Sequence, residues 1–424
     1  MKVFFTFENP LPNTAADAEV FVTTANYVAR LVSASWLHVP LPEATGTAAI
    51  ARLAGMPVIR AQAPLRPAVL RHLACGLTML LRRQYWQADL VYTRNLWVAW
   101  IAIRSGRKIV FDHYRPWPDQ IPLLRYWLYR LVCHRNFLVN ICHSDYTREK
   151  YLELGIPAEK LRCVRNGFEP ERLRSPLDRD AARLAVGLTD PRKTVIYTGR
   201  LNHKKGLDLV IPAARLAPEL LFVLVGSAGE GPIETMAAGI ENIRIVGWQP
   251  PDMLGLYVRA ADILLIPPSW NPLAKFGSTV LPLKVFLYMA SGTPILAGDT
   301  PDIREVLTHD RTAYLCRPDD PQALAAGLRA LAADPEAAAR RAEMAQLESR
   351  DLTWDARARR IVDIIAGRLN STQAERGTWG RAESRVWISQ SWRWLLHLLR
   401  TRSWVLPPSR TAAATTAGPG VRDA

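Results

Sequence analysis

VIYTGRLNHKKGLDLV, residues 195–210, is the stretch on which the reading of this 424-residue chain turns. An apolar strand ends at Gly199, a polar loop follows, and a helix is expected to open near Lys205. This pattern carries the Arg200 guanidinium and the Lys205 ammonium to the mouth of a helix, where backbone amides and the macrodipole already favour an anion. A diphosphate there would take charge-assisted hydrogen bonds of roughly 1.5–3 kcal/mol each. By itself Lys-Lys-Gly is an ordinary solvated turn. The complete order of strand, Gly-Arg, loop, Lys-Gly and helix favours phosphate binding.

Working outward, the same alternation continues on both sides. Downstream lie LFVLVGSAGEGP (221–232), with Gly226 at a strand end, and IRIVGWQPPDMLGLYVRAADILLIPPS (243–269), with Gly247 in the same place. Strands are expected at 194–199, 220–226, 243–248, 262–268 and 293–297. Helices are expected at 205–216, 251–261 and 281–291, and from 321 to about 368. Upstream, apolar runs at 2–7, 35–41, 57–62, 89–94, 108–113, 137–142 and 161–166 alternate with helical patterns. Such alternation signals two parallel α/β domains with ligands at the carboxyl ends of their strands. The boundaries read as a domain over 1–175, a linker over 176–192 where charge and proline break the pattern, and a domain over 193–350. A helix over 351–369 and a basic, Trp-rich tail over 370–424 follow, the last ~15 residues of the tail having a disordered composition.

In this order the segments resemble glycosyltransferase family 4, retaining enzymes of the GT-B fold. VRNGFEPERL (164–173) is similar to the family's Asn-Gly segment before the interdomain crossing. LPLKVFLYMASGTPILAGDTPDIREVL (281–307) is similar to the stretch that holds the donor. LTWDARARRIVDII (352–365) looks like the closing helix that returns to the first domain. The resemblance implies two Rossmann-like domains facing a central cleft, the first on the acceptor side and the second binding a nucleotide sugar. It implies that Arg200 and Lys205 hold the donor diphosphate and stabilise it as it leaves, with no metal and no cofactor beyond the donor substrate. Gly199, Gly226, Gly247, Ser278, Thr279 and Lys284 would line the donor. His113, at the end of KIVFDH, would approach the acceptor and the transferred sugar, and a capping or core histidine is the other reading of it. The family's two glutamates in the last region fall here on Thr279 and Leu287. Its Gly-Gly-x-Glu loop after the first strand reads Ala16-Asp17-Ala18-Glu19, leaving Asp17 and Glu19 as acceptor-side candidates.

Charge separates along the chain. Residues 1–175 carry 23 Lys/Arg against 13 Asp/Glu, residues 176–369 carry 23 of each, and residues 370–424 carry 8 against 3, giving a net +15. Between Arg52 and Arg135 there are 14 basic and 3 acidic residues, interleaved with Leu, Trp and Tyr. The tail RVWISQSWRWLLHLLRTRSW (385–404) places Trp387, Ile388, Trp392, Trp394, Leu395, Leu396, Leu398 and Leu399 on one helical face, with Gln390, Arg393, His397 and Arg400 on the other. Both segments, 52–135 and 385–404, suit an anionic membrane interface. Simple packing of apolar faces on neighbouring elements is the alternative. No RNA-binding, helix-turn-helix or zinc pattern points to nucleic acid. Five scattered cysteines and the absence of a leader or an ~18-residue apolar run favour a cytoplasmic enzyme, peripheral on the inner face of the cell membrane. The expected activity is transfer of a sugar to a glycan or polyprenyl-linked acceptor in cell-envelope polysaccharide or glycolipid synthesis. A non-catalytic GT-B-like scaffold and a sugar-nucleotide epimerase remain alternatives.

Overall fold

The protein is described by a computed structural model over residues 1–13, 15–270, 281–370, 381–401 and 403–406. The chain forms two compact units, Met1–Asn166 with Trp354–Trp404, and Gly167–Thr353.

The first unit holds seven parallel strands: β1 (Lys2–Thr6), β2 (Ala34–Val39), β3 (Val58–Arg60), β4 (Leu90–Thr93), β5 (Lys108–Asp112), β6 (Phe137–Cys142) and β7 (Leu161–Cys163). Their order is β3-β2-β1-β4-β5-β6-β7. These strands are near-continuous apolar runs because helices cover both faces of the sheet. One face packs Phe5, Phe21, Tyr92 and Val139, the other Phe4, Val91, Phe111 and Phe137. The helix Trp354–Asn370 returns to this unit, burying Ala358, Ile361 and Ile365 in the first of those layers.

The second unit holds six parallel strands: β8 (Lys193–Thr198), β9 (Leu220–Ser227), β10 (Ile243–Gly247), β11 (Ile263–Leu265), β12 (Ile295–Gly298) and β13 (Tyr314–Cys316). Their order is β10-β9-β8-β11-β12-β13. Both sheets therefore have the Rossmann-like arrangement. In each, the strand order reverses at one point, between β1 and β4 and between β8 and β11. Crevices form past the carboxyl ends of strands at such points.

Three expectations are corrected. The division between units falls at Asn166/Gly167, ahead of the expected 176–192 linker. Residues Arg179–Ala185 are a helix of the second unit, because Ala182, Val186 and Leu188 bury into its core and Asp178 caps the first turn. The helix expected to open near Lys205 begins at Val210. Residues His203–Lys205 form a 3-10 turn closed by Gly206 in the left-handed region (φ 71°). Pro212 gives the reason: in the first turn its missing N–H costs nothing, whereas deeper in a helix it would break one. The short edge strand β13 escapes sequence reading, because three residues give too brief a period to detect.

The tail helix Arg381–Thr401 differs in its faces. Trp394 is buried and donates through Nε1 to the Trp404 carbonyl at 2.9 Å, and Trp387 donates to the Leu123 carbonyl at 3.2 Å. Gln390, on the polar side of the wheel, accepts from Arg125 at 2.9 Å. Ile388, Trp392, Leu396 and Leu399 are left as an exposed stripe. The final ~15 residues of the tail, expected to be disordered, lie outside the described residues.

Candidate functional site

In the second unit the end of β8 is built by glycine. The Gly199 amide donates to the Val225 carbonyl at 2.8 Å, and Gly199 and Gly226 both take positive φ (130° and 118°). A Cβ on Gly226 would stand 2.5 Å from the Gly199 carbonyl oxygen, so the two strand ends approach closer than any side chain allows. These glycines shape the turn from which Arg200 projects. Gly247 ends β10 in open space, where a Cβ would meet no atom within 4 Å.

Three cations gather past the end of β8. The Tyr197 hydroxyl donates to the Arg200 carbonyl at 3.2 Å, and the Lys284 ammonium lies 3.4 Å from the centroid of the Tyr197 ring. Lys284 opens the helix Lys284–Ala290, whose Tyr288 hydroxyl accepts the Thr198 amide at 2.8 Å and so ties that helix to β8. The Lys205–Gly206 turn lies against the end of β11, so close that a Cβ on Gly206 would collide with the Ser269 Cβ. Ser269 in turn donates to Asp319 at 3.0 Å. Desolvation, then the charge of Lys205, pushes the Lys284 pKa well below the lysine range. Desolvation, then Arg200, lowers that of Lys205. Both depressions come first from desolvation, which disfavours the charged form, and second from the neighbouring cation, which an anion bound there would offset. Arg200, Lys205 and Lys284 are thus brought together at the point where the strand order of this sheet reverses. Leu287 packs against the apolar core of this unit. Ser278 and Thr279 lie outside the described residues.

In the first unit His113 follows β5 and is buried. Its ring stacks at 5.3 Å on Phe111 and lies 3.7 Å from the Trp117 ring, and Nδ1 bonds the Arg115 carbonyl at 3.0 Å. Desolvation holds it neutral, well below the usual histidine pKa. Asp17 and Glu19 open the helix Ala16–Ala29, where their charge complements the macrodipole. Asp17 accepts from Asn9 at 3.2 Å, and Glu19 is exposed.

Sequence reasoning missed a buried charge network beside His113. Asp112 accepts from the Tyr92 hydroxyl at 2.7 Å, from His143 Nε2, and from Arg357 at 3.2 Å. Arg357 also donates to the Val164 and Arg165 carbonyls. Burial opposes ionisation of Asp112, but His143 and Arg357 outweigh it and hold the carboxyl below the usual range. Burial presses His143 down to about 4, Asp112 pulling the other way. The signal available was a lone aspartate closing the apolar run KIVFD.

Comparison with known proteins gives a consistent picture. Residues 178–348 match the family described as Glycosyl transferases group 1, and residues 37–172 match Glycosyltransferase Family 4. The amylovoran biosynthesis glycosyltransferase AmsK of Erwinia amylovora is 29% identical over 231 residues, 52% of this chain and 51% of that protein. A D-inositol 3-phosphate glycosyltransferase of Streptomyces avermitilis is 28% identical over 229 residues, 50% of this chain and 48% of that protein. The chain thus spans about half the length of the curated relatives it matches. Among solved structures, Anabaena Alr3699/HepE in complex with UDP and glucose superposes with a TM-score of 0.67 at 18% identity, covering 86% of this chain and 99% of that one. WaaG, a glycosyltransferase involved in lipopolysaccharide biosynthesis, gives 0.61 at 16% identity, covering 86% and 100%.

Proposed function

The chain belongs to the family 4, group 1 glycosyltransferases, and from that membership we propose that it moves a sugar from a nucleotide diphosphate sugar to a glycan or lipid-linked acceptor. The observation that carries this reading is the convergence of Arg200, Lys205 and Lys284 past β8. Two lysines whose pKa values are depressed by burial and by neighbouring cations gain most from a bound diphosphate. As the sugar–phosphate bond breaks, negative charge grows on the leaving diphosphate, and cations already in place stabilise it without reorganising. The chemistry needs no metal for that role. Retention of configuration, with the acceptor proton passing to the leaving phosphate, fits a first unit in which His113 is held neutral and bound to a carbonyl. Because the Anabaena neighbour was captured with UDP-glucose, UDP-sugars are the first donors to try.

The test is a donor screen. Purified protein, membrane extract and a panel of UDP-, GDP- and ADP-sugars are incubated, and nucleotide release is followed alongside calorimetry of the free nucleotides. Acceptor-dependent release from one donor is expected. Leu287, apolar and packed inward, favours the scaffold alternative, which predicts nucleotide binding with no turnover. A protein that binds none of the nucleotides would overturn the enzyme reading.

Peripheral membrane association is supported by the exposed apolar stripes of the first unit. Val69, Leu70, Leu73 and Leu77 are exposed along the helix Ala68–Met79, and Trp127 and Trp392 are exposed elsewhere. No helix among the described residues is long and apolar enough to cross a membrane. Vesicles containing anionic lipid should therefore sediment the protein, less so as salt rises. Trp392→Glu should weaken partition by about tenfold, the scale of losing one buried apolar side chain. Equal sedimentation with neutral and anionic vesicles would count against the electrostatic part.

A further inference from the structure

The edge of the first sheet carries a pair of groups that sugar transfer does not use. There β6 and β7 run parallel and in register, so that Asn140 faces Leu161, Ile141 faces Arg162 and Cys142 faces Cys163. The Val164 amide donates to the Cys142 carbonyl at 2.9 Å and closes the ladder just past the pair. In-register partners on neighbouring strands stand about 4.8 Å apart and turn their side chains to one face of the sheet. That separation falls within the roughly 4.4–6.8 Å between Cα atoms that a disulfide bridges. The other cysteines are placed differently: Cys75 lies within a helix, Cys133 ends one, and Cys316 faces Gly298. All five are reduced. Desolvation, then the neighbouring Cys163, raises the Cys142 pKa, while the charge of Arg148, on the helix Asp145–Leu152, pulls it back.

The two thiols differ in access. Cys142 is fully buried, whereas Cys163 is half-buried. We infer that Cys142 and Cys163 form a site of reversible oxidation by peroxides, which closes to a disulfide between β6 and β7. A small peroxide meets Cys163 first. The Cys163 thiolate attacks one peroxide oxygen, the O–O bond breaks, and Cys163 is left as a sulfenic acid with release of water. The Cys142 sulfur then attacks the sulfenic sulfur, the S–O bond breaks, and the leaving hydroxide departs as water with the Cys142 proton. Two thiols are oxidised to one disulfide, and the peroxide is reduced to two waters. Attack across one strand spacing is intramolecular, which offsets the low thiolate fraction of a buried thiol. The bond fastens a three-residue edge strand whose next residues, Val164 and Arg165, hold Arg357 through their carbonyls. Short edge strands open locally at low cost, and a cross-link between residues 21 apart removes much of that freedom.

The inference goes beyond the glycosyltransferase reading and does not rest on it, so neither fails with the other. Its test uses the full chain, reduced and then exposed to hydrogen peroxide under native conditions, followed by proteolysis and mass spectrometry. The peptides holding Cys142 and Cys163 are expected as one linked species, two hydrogens lighter than their sum and separated by dithiothreitol. Cys163→Ser should abolish the link and leave Cys142 unmodified, because the buried thiol is not reached alone. Cys142→Ala should instead leave Cys163 as a sulfenic acid that dimedone captures, and Cys133→Ser should still give the link. Hydrogen exchange of the β7 amides should slow by about tenfold or more in the oxidised protein and recover on reduction. If Cys142→Ala fails to fold, the wild type and Cys163→Ser decide the matter between them. Linkage through any other cysteine, a sulfinic acid at Cys163 without linkage, or two thiols left unreacted would overturn the inference.

Discussion

Arg200→Ala is expected to lower kcat/KM for the nucleotide sugar by about 10²–10³-fold, the loss seen when one preorganised donor to a developing negative charge is removed. Arg200 is exposed, so its removal leaves the core untouched and the melting temperature unchanged. Lys205→Ala should behave alike. The double variant should lose less than the product of the two, because both charges act on one group. Arg200→Lys keeps the charge but not the fork that can hold two phosphate oxygens, and should recover only part of the rate. The loss should fall mainly on kcat, since charge on the diphosphate grows as the bond breaks. Nucleoside diphosphate affinity, measured by calorimetry, should weaken less than the rate. Activity within about threefold of wild type would remove Arg200 from the site. Removing Arg200 also lifts the second of the two causes that depress the Lys205 pKa, so Lys205 holds its proton more firmly in the variant and offsets part of the loss.

How much of this was legible beforehand depends on whether the cause was local. VIYTG reads as a strand ending in glycine because a buried parallel strand is a continuous apolar run, and Gly199 and Gly226 follow from it. Arg200, Lys205 and Lys284 can all be picked out in the sequence, and the structure gathers them. The exact start of the next helix was also written locally, in Gly206 and Pro212, although the apolar period concealed it. By contrast, strand order leaves no mark on a local pattern. The reversal that sets the end of β1 beside that of β4 was therefore invisible. The tail helix shows the limit of an amphipathic wheel. Trp387, Trp394 and Trp392 share one broad apolar face, yet the first two are engaged by Leu123 and Trp404 and the third is left outward. Which part of an apolar face is covered depends on the neighbour, which the helix itself does not encode.

The same limit hid the charge network at Asp112, whose partners His143 and Arg357 lie 31 and 245 residues away. That network underlies the second large effect. Arg357→Met should destabilise the first unit by about 3–5 kcal/mol at pH 8, the cost of leaving a buried carboxylate without its cation. The helix Trp354–Asn370 would also lose its polar anchor to the Val164 and Arg165 carbonyls. The effect should depend on pH with a definite sign. In the wild type His143 is held neutral, its pKa lowered to about 4 in the fold. Its stabilising contribution is present above the unfolded value near 6.5 and is lost as pH falls towards 4, by about 3 kcal/mol in all. Asp112, also depressed, acts in the same direction at lower pH. Without Arg357 only burial and the weaker effect of the Arg94 charge oppose protonation of His143, and Asp112 beside it favours the cation. The histidine then takes up a proton and stands in for the lost arginine. Urea unfolding at pH 8 and at pH 5.5 should therefore show a large gap between wild type and variant at the higher pH and a smaller one at the lower. Adding His143→Gln should abolish the convergence. A cost below about 1 kcal/mol at pH 8 would mean that Asp112 is satisfied by Tyr92 and His143 alone, and a gap independent of pH would mean that His143 does not titrate with it.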